Sequence, residues 1–256
     1  MNPIFIGNNI FELGTLSATG TYAGYSVNNL LDRRNYTKWK AAAHGFNYIT
    51  INHGGPNYTV NAVAIFGHNF YSNSAVVTLE YYHDPPGEWV EVGTFGITRN
   101  GATSLVFASV TDGDQWRIKI STSAGALPEF SVLMGGAKIE FPYPPDSPHS
   151  DFEESSIKES AVSKTGNLLG VLQRGLETSF SLKFSHLTRT WVDSNIVYSW
   201  YVSYGKTGMP FIYIPDFSYD DEGVYLVRTA DEWRLSLPKT ILTYYESLQI
   251  DLTGVR

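Results

Sequence analysis

Residues 75–95, AVVTLEYYHDPPGEWVEVGTF, contain the pattern that decides the fold. Val77, Leu79 and Tyr81 alternate with residues assigned to the opposite face, and the turn-forming HDPPG separates this run from a second short run, EWVEV. Alternation with a period of two residues is typical of a strand that buries one face. The stretch therefore predicts two antiparallel strands joined by a turn.

The same pattern recurs through the first 141 residues. In QWRIKIS (115–121), Trp116, Ile118 and Ile120 alternate with two basic residues. Further candidate strands are FNYITI (46–51), VNAVAIF (60–66), TSLVFA (103–108) and GAKIEF (136–141). Turn-forming sequences separate these runs, and no helical periodicity of useful length precedes residue 142. We therefore expect an N-terminal antiparallel β-sandwich or jelly roll.

A proline-rich segment, FPYPPDSPHSDFEESS (141–156), interrupts the strand pattern. Four prolines followed by a patch of acids are typical of an extended linker. The sequence therefore predicts a sandwich domain over residues 1–143, a linker over 144–156 and a second domain over 157–256.

The second domain combines strands with a helix. Its first part predicts a hairpin arm, a polar strand and a long return strand that carries Phe180, Leu182 and Phe184 on one face. The segment HLTRTWVDSNIVYSWYVSYG (186–205) follows, with apolar residues four apart and a terminal glycine, which predicts one main amphipathic helix. With strands after it, the C-terminal domain is expected to be α+β, and the chain as a whole mainly β.

Composition narrows the classes of function. The net charge is −7, with 18 Lys and Arg against 25 Asp and Glu, and this argues against nucleic acid as a partner. The chain has no cysteine, which excludes disulfides and fits a reducing cytoplasm. Its first residues lack the pattern of a signal peptide, and no apolar run is long enough to insert in a membrane.

Motifs for catalysis are missing from the sequence. It has no Gly-x-Ser-x-Gly elbow, no His-Glu-x-x-His and no P-loop, and its six histidines occur singly. We therefore predict that the protein is not an enzyme. The alternative is a glycan-active enzyme that uses a pair of carboxylates, with Glu88, Asp231 and Glu232 as candidates.

The segment NNLLDRRNYTKWKA (28–41) contains a candidate cation site. Asp32 and Thr37 could offer oxygens to a structural calcium ion, with Trp39 packed beneath them. The alternative is that Asp32 caps a turn and Trp39 is simply part of the core.

Several stretches in the order of the chain resemble the discoidin, or coagulation factor 5/8 type C, family, which includes galactose-binding-like carbohydrate-binding modules. They are LLDRRNYTKW (30–39), YITINHG (48–54), VNAVAIF (60–66), VTLEYYHDPPGEWVEVGTF (77–95), WRIKIS (116–121) and KIEF (138–141). The resemblance covers about residues 15–143 and implies a jelly roll in which Glu140 joins Asp32 and Thr37 at calcium. The chain departs from the family at Arg33 and Arg34, and a cation beside the site opposes calcium; Arg34 could bond Asp32 and replace the ion.

Sugar sites on such sandwiches use an aromatic ring and a few polar side chains in the loops at one end. The candidates for binding glycan here are His44, His68, Asn69, Tyr71 and Arg99. For His68 and Asn69 the alternative is that this pair closes backbone hydrogen bonds at the end of a strand.

A second resemblance concerns the whole chain. GHNF (67–70) in a discoidin-like domain, and the arrangement of residues 157–256, resemble minor tail and baseplate proteins of bacteriophages. This implies a structural protein of the virion tail, assembled in the host cytoplasm as a homo-oligomeric ring with other tail proteins. The hairpin arm would contact a neighbour through Phe180, Leu182 and Phe184, and the sandwich would project outward, either touching host surface glycan or only decorating the tail. The alternative is a stand-alone lectin.

Overall fold

The structure is a computed structural model that describes residues 2–83, 87–123, 125–146, 150–162, 164–165, 168–215, 223–231, 233–237 and 244–255. The chain divides into two compact units. The first comprises Met1–Pro144, Pro210–Leu226 and Arg256, and the second comprises Pro145–Met209 and Val227–Val255. The described residues are mainly antiparallel β with one main helix, which confirms the predicted fold class.

The strands, in chain order, are β1 (Ile4–Ile6), β2 (Thr15–Ala18), β3 (Trp39–Lys40), β4 (Gly45–Asn52), β5 (Tyr58–His68), β6 (Val76–His83), β7 (Glu88–Thr94), β8 (Gly101–Gly113), β9 (Gln115–Thr122), β10 (Glu129–Phe130), β11 (Val132–Gly136), β12 (Lys138–Glu140), β13 (Ser150–Val162), β14 (Leu168–Thr188), β15 (Phe211–Ile214), β16 (Tyr225–Thr229) and β17 (Tyr244–Gly254). Short 3-10 helices cover Ile10–Leu13 and Val27–Leu31, and α1 (Arg189–Val192) continues as a π-helical segment over Asp193–Gly205.

The first unit is a sandwich of antiparallel sheets. One sheet has the strand order β2–β4–β9–β6–β7, and the other has the order β11–β5–β8. Apolar side chains from both sheets meet in one core, including Ile49, Leu79 and Trp116 from the first sheet and Val63 and Ile65 from the second. The predicted alternation therefore holds for β4, β6 and β9, each of which places one apolar face in the core.

One difference from the predicted pattern lies on the outer face of the five-stranded sheet. Thr78 and Glu80, which the alternation assigns to the solvent side of β6, are only 6% and 5% exposed. Glu80 forms ion pairs with Arg117 and Lys119 of the neighbouring strand, and these long side chains cover it. A buried carboxylate is tolerated there because it is paired.

The predicted domain boundaries differ from the structure in two respects. β13 begins at Ser150, so residues 150–156 belong to a strand rather than to a linker. Residues 210–226, which were assigned to the second domain, belong to the first unit. Residues 210–226 belong to the first unit because β15 pairs with β1, where Ile214 lies opposite Ile4, and these strands are distant in the sequence.

The second unit contains the predicted hairpin, formed by β13 and β14. β14 also pairs antiparallel with β17, which in turn pairs with β16. The predicted helix is present and ends at Gly205. Its buried residues, Val192, Ile196, Trp200 and Tyr204, are four apart, a spacing that suits a helix wider than an α-helix. Among the described residues, no helix is long and apolar enough to cross a membrane.

Candidate functional site

One end of the sandwich carries the predicted glycan-binding residues. β4 begins and β9 ends there, because Gly45 lies opposite Thr122, and β6 begins beside them, because Val76 lies opposite Ser121. β5 ends and β8 begins at the same end. The segments 41–44, 69–75 and 95–100, and the connection from β9 to β10, therefore come together at this end of the sandwich, which we call the loop end.

Exposed aromatic rings concentrate at the loop end. Tyr71, in segment 69–75, is 57% exposed, and Phe46, at the start of β4, is 63% exposed. Tyr22 is 49% exposed and is held there by a hydrogen bond from its backbone N–H to the Lys40 carbonyl. Tyr36 is 74% exposed and follows Asn35, whose side chain contacts Ser131 beside the end of β5. Exposed rings near one another at one end of a domain offer surfaces on which a ligand with an apolar face can pack.

The structure brings Tyr71 and Arg99 to neighbouring segments. The backbone N–H of Ser72 donates to the Asn100 side-chain oxygen at 3.1 Å, which ties segment 69–75 to segment 95–100. Tyr71 and Arg99 are both exposed, as is His44 in the segment before β4. The positive charge of Arg99 also acts on Tyr225: burial raises the pKa of Tyr225, and this charge opposes that rise. These three predicted residues therefore have side chains that a ligand could reach.

His68 and Asn69 are placed differently: the prediction that His68 contacts glycan is corrected because its side chain is buried, and Asn69 is half-buried. His68 is only 3% exposed and stacks on Phe70, with its Nδ1 accepting from the Phe70 backbone N–H. Asn69 donates to the Leu127 carbonyl at 3.0 Å and accepts from the Glu129 N–H at 3.0 Å. The alternative therefore holds: this pair closes hydrogen bonds at the end of β5 and shapes the loops.

The sequence analysis missed a second group of side chains at the loop end. The Lys40 Nζ atom lies 5.6 Å and 5.7 Å from the ring centroids of Tyr22 and Tyr25, a cation–π arrangement. Glu129 accepts from Lys38 at 2.8 Å and lies 3.6 Å from Lys40. Burial alone would raise the pKa of Glu129, but the hydrogen bond from Lys38 and the two positive charges outweigh it and lower the pKa.

A signal for this group is present in the sequence. In KWK (38–40) the two lysines flank a tryptophan, and Trp39 is completely buried, so the lysines point away from the core. TGTYAGY (19–25) places two tyrosines three residues apart in a stretch with two glycines. What the sequence could not show is that these two segments meet.

The loop from Asp32 to Thr37 holds its shape through its own hydrogen bonds. One Asp32 carboxylate oxygen accepts from the Arg34 backbone N–H at 2.9 Å, and the other accepts from the Thr37 hydroxyl at 2.6 Å. The Arg34 guanidinium does not bond Asp32 but lies 6.0 Å from the Tyr36 ring centroid. Asp32 therefore closes a turn, which is the alternative stated for this residue.

The oxygens proposed for calcium are bonded to other groups of the chain. Glu140 is engaged by Lys138 at 2.8 Å, while Asp32 is engaged by its own loop. Arg33 turns inward and bonds both carboxylate oxygens of Glu12, at 2.6 Å and 2.8 Å. Among the described residues, no group of three or more acidic or histidine side chains could hold a metal ion.

The proposed assembly contact is also corrected. Phe180, Leu182 and Phe184 are at most 2% exposed, and they lie opposite Leu252, Ile250 and Leu248 of β17. Together with these residues of β17, which pairs beside β14 in the same sheet, they form one buried apolar face, so they belong to the core of the second unit and are not a free contact surface. Of the candidate carboxylates for catalysis, Glu88 is exposed, Asp231 is paired with Arg228, and Glu232 lies outside the described residues.

No protein-family model and no curated protein matches the chain. The solved structures to which it is similar include carbohydrate-binding modules. Chitosan-binding module 1 of a chitosanase/glucanase from Paenibacillus sp. IK-5 is 19% identical, with a TM-score of 0.43 over 51% of this chain and 99% of that chain. The family 32 carbohydrate-binding module of NanJ from Clostridium perfringens, in complex with galactose, is 18% identical, with a TM-score of 0.42 over 54% and 99%. Chitosan-binding module 2 from the Paenibacillus enzyme, in complex with chitotriose, is 18% identical, with a TM-score of 0.41 over 48% and 96%.

Proposed function

We propose that the first unit is a carbohydrate-binding module that holds sugar rings at its loop end. The observation that carries the proposal is that exposed Tyr71 and exposed Arg99 lie on two segments that a hydrogen bond joins, at the end of the sandwich where exposed His44 also lies. A pyranose has an apolar face that packs on an aromatic ring, and its hydroxyl groups need a few fixed polar partners. The loop end provides both kinds of group in neighbouring segments.

The roles follow from exposure and hydrogen bonding. Tyr71 offers the ring on which a sugar stacks, and Arg99 and His44 offer donors to its hydroxyl groups. His68 and Asn69 act beneath them by fixing the segment that carries Tyr71. Tyr22 and Lys40 extend the surface toward a second sugar residue of a longer chain.

Binding of the full chain to a glycan array tests this proposal. Tyr71→Ala is expected to weaken binding to every bound glycan by about tenfold or more, since stacking is lost. Tyr198→Ala is the matched control, because Tyr198 is 76% exposed but lies on the helix of the second unit. The proposal fails if the folded protein binds no glycan, or if the Tyr71 and Tyr198 variants both bind glycan as tightly as the unsubstituted chain.

The role in a phage tail stays a prediction, together with its tail-protein partners, its location in the virion and the expectation that the chain is not an enzyme. One feature favours assembly through a surface other than Phe180 and Phe184, and it is the edge strand β13. Among the described residues, β13 pairs with β14 alone, and such an edge strand can add a strand from a neighbour. Light scattering at rising concentration would show a fixed ring mass for an assembling protein and a monomer mass otherwise.

A further inference from the structure

A cavity lies wholly within the second unit, where the helix ends. Its volume is about 410 Å³, within the range of roughly 300–1,000 Å³ that is usual for small-molecule sites. The side chains that matter to its chemistry are Tyr201, Lys206, Arg228, Asp231, Trp233 and Arg234. None of them takes part in the loop end.

Trp233 forms a rigid aromatic wall of this cavity. Its indole N–H donates to the Gln249 carbonyl at 2.9 Å, and its backbone N–H donates to the Ala230 carbonyl at 2.9 Å. Its ring meets the rings of Trp200 and Tyr201 edge to face, with centroids 5.7 Å and 6.0 Å apart. Because the polar atom of the indole is already bonded, the ring presents an apolar surface to a ligand.

Gly205 allows this packing. A Cβ atom at this position would lie 2.7 Å from Tyr201 Cδ2 and 3.2 Å from the Trp200 ring. The Gly205 carbonyl accepts from the Thr229 hydroxyl at 3.0 Å, so the end of the helix is fixed to β16. The aromatic wall and the strand that carries Arg228 are therefore held in one arrangement.

The described residues that line the cavity carry a net positive charge, with three basic side chains and one carboxylate. Arg228 and Asp231 form an ion pair with each other, and the hydrogen bond from Arg228 lowers the pKa of Asp231. Lys206 and Arg234 form no ion pair with any residue that the structure describes. Their two charges remain to attract an anion, in a chain whose net charge is −7.

A helix carboxyl end normally repels anions through its free carbonyl groups. Here those carbonyls already accept hydrogen bonds. The Tyr201 carbonyl accepts from the Lys206 N–H, the Tyr204 carbonyl accepts from the Gly208 N–H, and the Ser203 carbonyl accepts from the Thr207 hydroxyl at 2.7 Å. An anion beside Lys206 would therefore meet few unsatisfied acceptors.

We propose that this cavity is a second binding site, independent of the loop end, for an acidic sugar residue: a pyranose ring that carries a carboxylate. Arg234 and Lys206 bind the carboxylate, and the planar guanidinium of Arg234 matches its two oxygens. The apolar face of the ring packs on Trp233. A sugar suits the cavity because the aromatic side chains form one apolar wall, while the remaining walls are mainly polar.

Titration calorimetry of the full chain with glucuronic acid and with glucose tests the proposal. Glucose has the same ring without the carboxylate, so it isolates the contribution of the charge. We expect glucuronic acid to bind at least about tenfold more tightly than glucose, and its binding to weaken as salt is raised. Arg234→Gln and Lys206→Gln are each expected to weaken glucuronic acid binding by about tenfold.

Lys183→Gln is the matched control, because it removes the same charge from an exposed position on β14. Lys206 and Arg234 are exposed, so loss of binding in their variants is separable from unfolding by circular dichroism. Three results would overturn the proposal. They are no saturable binding of glucuronic acid, an equal loss in the Lys183 variant, and binding of inorganic phosphate as tight as that of glucuronic acid, since the indole wall would then contribute nothing. Because the loop end could itself bind glucuronic acid, the Lys206 and Arg234 variants distinguish the two sites, and binding that is unchanged in both variants would also overturn the proposal.

Discussion

At the scale of single residues, Arg33 has a backbone conformation that ordinarily favours glycine. Its φ angle is +58°, which costs an L-residue about 1–2 kcal/mol. Its side chain is only 7% exposed, bonds both oxygens of Glu12 and donates to the Pro210 carbonyl at 2.6 Å. The strain is tolerated because these charged hydrogen bonds outweigh it.

The two opposing effects at Arg33 can be separated by substitution. Arg33→Ala keeps the strain and removes the ion pair, so the free energy of unfolding should fall by about 3–4 kcal/mol. Arg33→Gly also removes the strain, so its loss should be about 1 kcal/mol smaller. Urea unfolding measures both values, with the exposed Arg34→Ala as the control. Equal losses for alanine and glycine would show that the backbone at Arg33 is not strained.

The loop beside Arg33 leads to a prediction about metal dependence. Because Asp32 is occupied by the Arg34 N–H and the Thr37 hydroxyl, neither calcium nor a chelator should change the melting temperature by more than about 1 °C. Asp32→Ala should instead lower stability by about 1 kcal/mol, as the loss of a capping residue does. Differential scanning fluorimetry checks both expectations. A rise in melting temperature with calcium that disappears in the Asp32 variant would mean that the ion is bound.

His53 predicts a dependence of stability on pH. Both of its ring nitrogens are buried and have no hydrogen-bond partner among the described residues. Burial lowers the pKa of His53, and the charge of Asp114 only partly opposes this. The unfolded chain therefore binds a proton near the ordinary pKa of about 6.5, while the folded chain resists it. The contribution of His53 to the free energy of unfolding is therefore complete above about pH 6.5, and it is lost as the pH falls below that value.

The unfolding midpoint in urea, measured between pH 8 and pH 5, checks this expectation. In His53→Gln the fall in midpoint across that range should be smaller than in the original chain, because one group that titrates on unfolding is gone. His83→Gln is the control, since His83 is exposed. If both variants keep the full fall in midpoint, His53 is not the source of the pH dependence.

At the scale of secondary-structure elements, the outer face of the five-stranded sheet depends on Glu80. Its carboxylate lies between Arg117 and Lys119 of β9, and the Arg117 guanidinium lies 4.1 Å and 4.7 Å from the ring centroids of Trp89 and Tyr48. This cluster joins β4, β6, β7 and β9. It therefore links four strands of the sheet through side chains.

Glu80→Gln should lower the free energy of unfolding by about 2–3 kcal/mol, because the two cations lose their partner while half buried. The control is Glu91→Gln, since Glu91 lies opposite Glu80 on β7 but is exposed, and its loss should be below about 0.5 kcal/mol. Denaturation in urea measures the free energy of unfolding of both variants. Similar losses in the two variants would mean that the cluster contributes little to the sheet.

The same elements show how far the sequence predicts the structure. The alternation in β6 and β9 predicts the core correctly, because burying one face is a local property of a strand. It does not predict that Glu80 is buried, because that depends on which strand lies alongside. Tyr71 and Arg99 were candidates because of the chemistry of loops, and both are exposed, whereas the contact of Tyr22 with Lys40 was not predicted because their segments meet only in the folded chain. Phe180 was assigned to a surface because its partner β17 lies about 70 residues further along the chain.

At the scale of the whole molecule, the first unit is completed by residues far from it in sequence. β15 pairs with β1, and the Phe5 ring lies 5.1 Å from the Phe211 ring and 5.7 Å from the Tyr213 ring. The chain therefore leaves the sandwich at Pro144 and returns to it at Pro210. A fragment that ends at Pro144 would lack one neighbour of β1 and the cover of Phe5.

We expect the fragment 1–144 to fold incompletely at β1. In hydrogen–deuterium exchange measured by mass spectrometry, the peptide that contains Ile4–Ile6 should exchange about tenfold faster or more in the fragment than in the full chain, because backbone amides that β15 covers become open to water. A peptide from β9, which lies in the middle of the five-stranded sheet, is the internal control and should exchange at similar rates in both. In the full chain, Phe211→Ala should give a smaller acceleration at β1, because it removes a ring contact and keeps the backbone pairing. Identical exchange at β1 in the fragment and the full chain would contradict the expectation, since the sandwich would then be complete without β15.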